Sequence, residues 1–396
     1  MSLNNVVSAE RVHIAFFGRR NAGKSSVVNA FTNQKISVVS DTLGTTTDPV
    51  QKAMELLPLG PVVIIDTPGF DDEGALGELR VARTREVLRR TDIAVLVVDA
   101  AVGLSKADEA LLTELRERRL PHLIVYNKAD LLDPVPAAGE GELYVSALTG
   151  AGIDELKQRL AELVHTQEKE KRIVADLVNA GDTVILVIPI DGAAPKGRII
   201  LPQQQTLREL LDHHITVICC QPEELAATIA GLHLKPALVI TDSQAFGKVS
   251  PIVPQDIPLT SFSVLFARYK GSLDELIMGA SALADLRCGD RVLISEGCTH
   301  RRQCGDIGTV KLPAWIERFC GAKPNFTFTS GGSFPEDLSP YRLIVHCGGC
   351  MLNEKEMQYR QNAAKTANVP MVNYGIAIAK MNGILDRALA PLIGKN

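Results

Sequence analysis

Gly18-Arg19-Arg20-Asn21-Ala22-Gly23-Lys24-Ser25 fits the phosphate-loop pattern G-x-x-x-x-G-K-S/T and follows the apolar run Val12–Phe17, which we predict to be a strand. In such a loop the glycines let backbone amides surround phosphates, and the helix that follows points the positive end of its dipole at them. Lys24 is expected to neutralise the outer phosphates and Ser25 to reach Mg²⁺. The segment predicts a nucleotide site but leaves ATP and GTP equally open. The residues expected to contact the nucleotide here are Gly18, Asn21, Ala22, Gly23, Lys24, Ser25 and Ser26.

Two further segments complete the predicted phosphate and magnesium site. Asp66-Thr67-Pro68-Gly69 ends an apolar run, so that the Asp66 carboxylate is expected near Mg²⁺ and the Gly69 amide near the terminal phosphate. Its alternative interpretation is an ordinary polar turn, since Thr-Pro-Gly is common turn chemistry. Leu43-Gly44-Thr45-Thr46-Thr47-Asp48 is suited to a switch loop, in which we expect Thr46 to bind Mg²⁺. Lys24, Thr46 and Gly69 are the predicted catalytic contacts.

The choice of base is predicted by two later segments. Asn127-Lys128-Ala129-Asp130 follows another apolar run, and the Asp130 carboxylate can accept hydrogen bonds from the two adjacent N–H groups of guanine, which adenine lacks. The aliphatic stem of Lys128 is expected to cover the base. After the next predicted strand, an amide in Ser146-Ala147-Leu148 can meet the guanine oxygen. Four loops in this order predict a GTP and GDP site.

These loops resemble the Era/tRNA-modification branch of the translation-factor-like GTPases. The resemblance rests on Gly44-Thr45-Thr46, on Asp66-Thr67-Pro68-Gly69 and on Asn127-Lys128-Ala129-Asp130. It implies that Asn21 helps to hold K⁺. Phe70 stands where Ras-like enzymes place a glutamine that orients water, so the resemblance also implies hydrolysis that depends on K⁺.

Composition limits the class of protein. A chain of 396 residues suggests two or three domains, and the formal net charge of −4 gives no general attraction to nucleic acid. We find no local basic patch and no apolar run near the roughly 20 residues that span a bilayer. The N-terminus lacks the features of a signal peptide, so we expect a cytoplasmic protein without nucleic-acid or membrane partners.

Apolar runs that alternate with helical stretches predict an α/β fold: a P-loop GTPase domain with a parallel sheet (8–168), followed by two smaller α/β domains (169–270 and 271–396). The predicted strands are Val12–Phe17, Val62–Asp66, Ile93–Asp99, His122–Asn127, Leu143–Ser146, Thr183–Pro189, Ile215–Cys220, Ala237–Thr241, Val292–Ser295 and Arg342–His346. The predicted helices are Asp154–Lys171, Thr206–Asp212, Pro222–Gly231, Leu273–Leu286 and two C-terminal stretches around Val369–Val372.

Cysteines follow two of the predicted strands in the last domain. Cys298-Thr299-His300 comes after one, and His346-Cys347-Gly348-Gly349-Cys350 comes after the other. If these strands are parallel neighbours, the cysteines meet at one sheet edge. Tetrahedral zinc on three cysteines and a histidine, a [4Fe–4S] cluster on three thiolates with an open iron, and buried free thiols all remain open interpretations. We interpret the remaining cysteines, Cys219, Cys220, Cys288, Cys304 and Cys320, as structural, although Cys304 is close enough in sequence to Cys298 to be a spare ligand.

A P-loop GTPase that is followed by Cys-x-His and His-Cys-x-x-Cys resembles, along the whole chain, the [FeFe]-hydrogenase maturation GTPases. The resemblance implies a GTPase domain, a middle dimerisation domain and a C-terminal domain that binds a [4Fe–4S] cluster through Cys298, Cys347 and Cys350. His300 or His346 would then be the fourth ligand.

The function implied by this resemblance is that of a homodimeric scaffold or carrier. Such a protein receives a diiron precursor made with two radical-SAM enzymes and delivers it to apo-hydrogenase, while GTP hydrolysis drives a change of partner or conformation. A ribosome- or tRNA-maturation GTPase with a structural zinc site is the alternative, and it predicts a basic RNA-binding surface. A redox enzyme would be expected to have a full set of cysteine ligands and a second cofactor motif, and neither is evident.

Overall fold

The computed structural model describes residues 11–34, 50–69, 83–165, 171–190, 199–298 and 306–393. The chain divides into two compact units, Met1–Lys169 and Glu170–Asn396. Both are α/β, which confirms the predicted fold class. Within the described ranges, no helix combines the length and the apolar character needed to cross a membrane.

The first unit is built on a six-stranded sheet with the order β2-β3-β1-β4-β5-β6. Only β2 runs antiparallel to its neighbour. The strands are β1 (Val12–Phe17), β2 (Val50–Leu56), β3 (Gly60–Asp66), β4 (Ile93–Asp99), β5 (His122–Asn127) and β6 (Glu142–Tyr144). The helices are α1 (Lys24–Thr32), α2 (83–89), α3 (Lys106–Glu117) and α4 (Ile153–His165).

Both faces of this sheet are buried. Ile14 and Phe16 of β1 pack in one apolar cluster with residues of α1 and α4, whereas Ala15 and Phe17 pack in another with residues of α3. Successive side chains of a strand point to opposite faces, so a strand that is covered on both sides is a continuous apolar run. This is why the limits of β1, β4 and β5 agree residue for residue with the prediction.

The second unit contains two four-stranded parallel sheets, with the orders β10-β9-β7-β8 and β12-β11-β13-β14. The strands of the first are β7 (Thr183–Val187), β8 (Thr216–Cys220), β9 (Leu238–Thr241) and β10 (Leu259–Ser261), and those of the second are β11 (Arg291–Glu296), β12 (Asn325–Ser330), β13 (Leu343–His346) and β14 (Met371–Asn373). One buried apolar cluster includes residues of both sheets, such as Val239 and Ile344.

Helices cover these two sheets. They are α5 (Leu201–Asp212), α6 (Leu225–Ala230), α7 (Phe246–Val249), α8 (Phe262–Lys270), α9 (Leu273–Ser281), α10 (Leu312–Cys320), α11 (Glu354–Thr366), α12 (Tyr374–Met381) and α13 (Leu385–Ile393). The predicted helix Leu273–Leu286 is too long, because α9 ends at Ser281. The two helical stretches predicted around Val369–Val372 are α11 and α12, and the strand β14 (Met371–Asn373) lies between them. The predicted helix Asp154–Lys171 begins as expected, but 166–170 lie outside the described residues.

The start of the second unit is tied to α5 by one carboxylate. Glu209 accepts hydrogen bonds from the backbone N–H groups of Ile173, Val174 and Ala175 at 2.9, 2.8 and 2.8 Å. One side chain thereby accepts from three consecutive backbone N–H groups, and hydrogen bonds to a charged group are stronger than neutral ones.

We predict that Glu209→Ala lowers the free energy of unfolding of the second unit by about 2 kcal/mol, because three amides lose a charged acceptor. Trp315, the one tryptophan of the chain, lies in this unit, so its fluorescence in a urea titration reports this transition. Glu223→Ala is the matched control, since Glu223 makes an exposed ion pair with Lys248 at 3.4 Å. Equal midpoints for both variants would contradict the prediction.

Candidate functional site

The phosphate loop of the first unit lies between β1 and α1. Gly23 adopts a left-handed conformation, with φ of +81°, and a Cβ there would lie 2.2 Å from the side-chain nitrogen of Asn127. Glycine adopts this left-handed conformation readily and has no Cβ to collide with Asn127. The backbone conformation and the packing therefore both require glycine at this position of the motif. Gly18 and Ala22 border the same turn, and Ser26 continues α1. The backbone of Asn21 also has a positive φ, of 62°.

Lys24, Ser25 and Asp66 come together at the carboxyl ends of β1 and β3. Ser25 Oγ donates to Asp66 Oδ2 at 2.7 Å, and Lys24 Nζ lies 3.5 Å from Asp66 Oδ1. Among the described residues, no group donates a hydrogen bond to this buried Oδ1 atom. A buried carboxylate oxygen beside a serine hydroxyl is the kind of hard oxygen ligand that Mg²⁺ or its water shell selects.

The loop after β3 is anchored to β1. Thr67 Oγ1 donates to the carbonyl of Phe16 at 2.8 Å, which holds the Asp66–Gly69 turn against the phosphate loop. Gly69 is the last described residue of this segment. Thr46, predicted as a magnesium ligand, and Phe70, predicted to replace a catalytic glutamine, both lie outside the described residues.

Asn127 connects the phosphate loop with the loop that follows β6. Its Nδ2 donates to the carbonyl of Ala22 at 3.0 Å, and its Oδ1 accepts from the amide of Ala147 at 3.0 Å. The side chain is 2% exposed, so both bonds lie in the interior. Asn127 therefore joins the two loops, and its contact with the nucleotide stays a prediction.

The two residues predicted to contact guanine both have partners within the protein. Asp130 Oδ1 accepts from Ser146 Oγ at 2.5 Å, while Lys128 Nζ donates to Asp99 Oδ2 at 2.6 Å. Burial is the largest single effect on the pKa of Asp99 and tends to raise it. The hydrogen bonds from Lys128 and from the amide of Ala101, with the charges of Lys128 and Arg19, together outweigh burial and leave that pKa below its usual value. The fold brings Asp130 and Ser146 together as the sequence predicts.

Asp99 is a partner of the predicted guanine site that the motif analysis missed. It ends β4 and stands in register with Asn127 of β5, so its carboxylate lies at the same sheet edge as the base-recognition loop. The available signal was an acidic residue at the last position of an otherwise apolar strand. By fixing the ammonium of Lys128, Asp99 orients the stem that is expected to cover the base.

The cysteines of the second unit follow neighbouring parallel strands, as the sequence predicts. β11 pairs with β13, with Ser295 opposite His346. Cys298 and Cys347 therefore leave the same edge of the sheet, and the amide of Cys347 donates to the carbonyl of Ser295 at 2.9 Å. We call residues 347–352 the cysteine loop.

The sulfur of Cys347 accepts hydrogen bonds from the backbone. Its Sγ accepts from the amides of Gly297 at 3.0 Å and Gly349 at 3.4 Å. Burial, with a smaller effect of the nearby sulfurs of Cys350 and Cys298, raises the pKa of this thiol to about 12, against the lowering effect of these two amides. The three predicted ligand sulfurs are thus close enough to affect one another, and an uncoordinated Cys347 is a neutral thiol at pH 7.

Gly349 makes the bend of the cysteine loop possible. Its φ is +62°, and a Cβ would lie 2.5 Å from the sulfur of Met357. The described residues contain no group of three or more His, Cys, Asp or Glu side chains arranged to hold a metal ion. Cys298 is the last described residue before 299–305, so His300 and Cys304 lie outside the description.

His346 lies behind the loop rather than facing it. The side chain is fully buried, its Nδ1 donates to the carbonyl of Cys347 at 2.7 Å, and its Nε2 accepts from Arg360 Nη1 at 3.0 Å. Burial and the charge of Arg360 lower its pKa to about 3, so it is neutral. Both ring nitrogens are used within the protein, which leaves none for iron in this arrangement.

Arg360 of α11 was not identified from the sequence. It is fully buried and donates to Glu356 Oε1 at 2.8 Å and to the carbonyl of Gly331 at 2.8 Å, besides His346. Its guanidinium also lies 5.0 Å from the ring centre of Phe334. A buried charge persists when it is paired and its donors are satisfied, and these contacts meet that condition.

Comparisons with known proteins agree with this division of the chain. Residues 13–128 match the 50S ribosome-binding GTPase model, residues 173–271 match the hydrogen maturase F dimerization domain, and residues 274–391 match the hydrogen maturase F tetramerization domain. The first unit is therefore a GTPase domain, which supports the binding of GTP or GDP with Mg²⁺. The last two models support oligomerisation.

The curated relatives match the GTPase part. The tRNA modification GTPase MnmE of Nitrosospira multiformis is 35% identical over 165 residues, which are 40% of this chain and 36% of the relative. That of Laribacter hongkongensis is 37% identical over 163 residues, again 40% of this chain and 36% of the relative. The chain thus spans little more than a third of the length of these relatives.

Among solved structures, a probable GTP-binding protein engB is 25% identical, and the match covers 39% of this chain and 100% of that one with a TM-score of 0.31. The two hydrogen maturase F models together match more than half of the chain, and they do so in order after the GTPase domain. The chain belongs to the hydrogen maturase F (HydF) family.

Proposed function

We propose that this protein is a GTP-hydrolysing scaffold or carrier that binds a [4Fe–4S] cluster and assembles or delivers the diiron precursor of the [FeFe]-hydrogenase active site to apo-hydrogenase. The observation that carries the proposal is the combination, in one chain of this family, of guanine-nucleotide loops with cysteines at the ends of two parallel strands. We place this function in the cytoplasm, in a homodimer that works with two radical-SAM enzymes.

Three side chains support GTP hydrolysis in the first unit. Lys24 can neutralise the outer phosphates, while Ser25 and Asp66, which already contact each other, can share Mg²⁺. The amide of Gly69 would then lie near the terminal phosphate, and Thr46, which lies outside the described residues, stays the predicted further ligand of Mg²⁺. In these roles the residues position the phosphate and stabilise the charge that develops on it.

Guanine is favoured over adenine by Asp130. Its carboxylate accepts from Ser146 in the structure, and Ser146 is 1% exposed, so the acceptor is held in a fixed place. A bound base would offer its two N–H groups to this carboxylate, with the amide of Ala147 near the guanine oxygen. We assign the binding of K⁺ to Asn21. This residue is exposed on the phosphate loop and precedes helix α1.

The cysteines fit an iron–sulfur cluster by their chemistry. Thiolates are the ligands that iron–sulfur clusters select, and amides that donate to a ligand sulfur, as Gly297 and Gly349 do to Cys347, tune such clusters. When bound, a cluster held by Cys298, Cys347 and Cys350 supplies one iron that is open to an exchangeable ligand. His346 is better explained as a support of the loop, which leaves His300 as the remaining histidine candidate.

We propose domain limits of 8–168 for the GTPase domain, 169–270 for the dimerisation domain and 271–396 for the cluster-binding domain.

A ribosome- or tRNA-maturation GTPase with structural zinc is the competing function, since the relatives that match the first unit are tRNA modification GTPases. Those relatives match only the GTPase part, and they leave the cysteines of the second unit without an explanation.

We predict that Lys24→Ala lowers the rate of GTP hydrolysis by roughly 10²–10³, because a buried cation at the phosphates is lost. The iron content should stay at the wild-type level, because the cysteines belong to the other unit. Lys106→Ala, which changes an exposed lysine of the same unit, is the control and should leave both values unchanged. Loss of iron in the Lys24 variant would show that the sites are not separate modules.

Potassium should stimulate hydrolysis at least about tenfold over sodium, and Asn21→Ala should remove most of that difference. The reason is that a bound monovalent cation stabilises the negative charge that develops on the phosphate in the transition state. Initial rates in KCl and NaCl at one ionic strength measure the effect, with Asn29→Ala in α1 as the control. Equal wild-type rates in the two salts would refute the assignment.

Serine variants of Cys298, Cys347 and Cys350 should each lose most of the iron and sulfide of the anaerobically reconstituted protein and fail to activate apo-hydrogenase, since oxygen is a poorer ligand than thiolate for these clusters. Cys288→Ser and Cys320→Ser are the controls and should keep both properties. Electron paramagnetic resonance of the reduced protein identifies the cluster. A colourless wild-type protein with one zinc per chain would favour the competing function.

A further inference from the structure

Lys270, the last residue of α8, is a buried cation attached to the cysteine loop. The residue is 4% exposed. Its Nζ donates to the carbonyls of Gly349 at 3.1 Å, Cys350 at 3.4 Å and Leu352 at 2.8 Å. An ammonium has three protons to donate, and all three of these acceptors belong to one short loop. Lys270 thereby fixes the backbone on both sides of a predicted cluster ligand.

The lysine and the loop belong to different parts of the second unit. Lys270 lies in the range that matches the dimerization model, and the loop lies in the range that matches the tetramerization model. The chain between them is also held, because the amide of Ser272 donates to Gln361 Oε1 at 2.9 Å. Lys270 therefore carries a contact from the dimerisation part directly to the cysteine loop.

The charge of Lys270 also lies beside a predicted cluster ligand, because its Nζ is 3.4 Å from the carbonyl oxygen of Cys350. A fixed positive charge favours whichever form of its neighbour is more negative. For a cluster this is the form with one additional electron, so a cation at this place raises the reduction potential.

We propose that Lys270 is a positioning residue, which holds the cysteine loop in its ligand-binding shape and raises the reduction potential of the cluster bound there. The second half of this proposal rests on the cluster of the proposed function, whereas the first half does not. The two halves are tested by separate measurements on the full-length protein.

The first measurement is hydrogen exchange of the loop amides in protein without iron. Lys270→Met, which keeps the aliphatic stem and removes the three hydrogen bonds, should speed exchange across 347–352 by at least about tenfold. Lys270→Arg retains donors and charge and should restore much of the protection. Lys365→Met, which removes an exposed lysine paired with Glu275, is the control and should exchange like the wild type.

The second measurement is a redox titration of the reconstituted proteins, followed by electron paramagnetic resonance. Lys270→Met should reduce the ratio of reduced to oxidised cluster about tenfold at a fixed potential, a shift of ~59 mV to lower potential for one electron. Lys270→Arg and Lys365→Met should remain near the wild type. If Lys270→Met holds too little cluster to titrate, Lys270→Gln takes its place as the neutral variant.

The outcomes separate the two levels of inference. A wild type that takes up no iron–sulfur cluster contradicts the proposed function, while the exchange result still decides the loop-holding role. A wild-type cluster with unchanged exchange and potential in the neutral variants overturns the role of Lys270. Equal loss of cluster in the Arg and neutral variants also overturns it, because the charge would then be irrelevant.

Discussion

Parallel pairing of strands is the constraint on which both candidate sites depend. Neighbouring parallel strands end at the same sheet edge, so residues far apart in sequence meet there. In the first unit this brings Asp66, Asp99 and Asn127, each the last residue of its strand, to the edge that carries the phosphate loop. In the second unit the pairing of β11 with β13 does the same for Cys298 and Cys347.

The strands whose limits were predicted residue for residue are buried on both faces along most of their length. β1, β4 and β5 are covered on both faces, so nearly every position is apolar and the run ends where burial ends. β2 and β12 were missed because they lie at the edges of their sheets, and many of their side chains are partly exposed. Their place is fixed by pairing with a neighbour, which a local pattern does not encode.

The candidate sites show the same limit. Loop motifs such as the phosphate loop are predictable because their chemistry is local and requires particular residues in fixed order. The partners that orient them are not predictable in this way: Asp99 reaches Lys128 from the neighbouring strand β4, and Arg360 reaches His346 from helix α11, whose limits the sequence analysis did not predict. The histidine beside a cysteine motif looked like a ligand, because nothing near it in sequence reveals the arginine that occupies its second nitrogen.

The buried charges behind the cysteine loop bear on which of the three interpretations of these cysteines fits best. Arg360 and Lys270 are both almost completely buried, and placing charge in the interior is costly unless the surroundings compensate. A free Cys347 thiol with a pKa of about 12 brings no negative charge at pH 7, and neutral His346 brings none of either sign. Arg360 is already compensated by Glu356, whose carboxylate oxygen lies 2.8 Å from its guanidinium. Metal-bound thiolates, which are deprotonated outright, would place further negative charge near Lys270. The buried ammonium of Lys270 is therefore compatible with the coordinated sulfur of the proposed function.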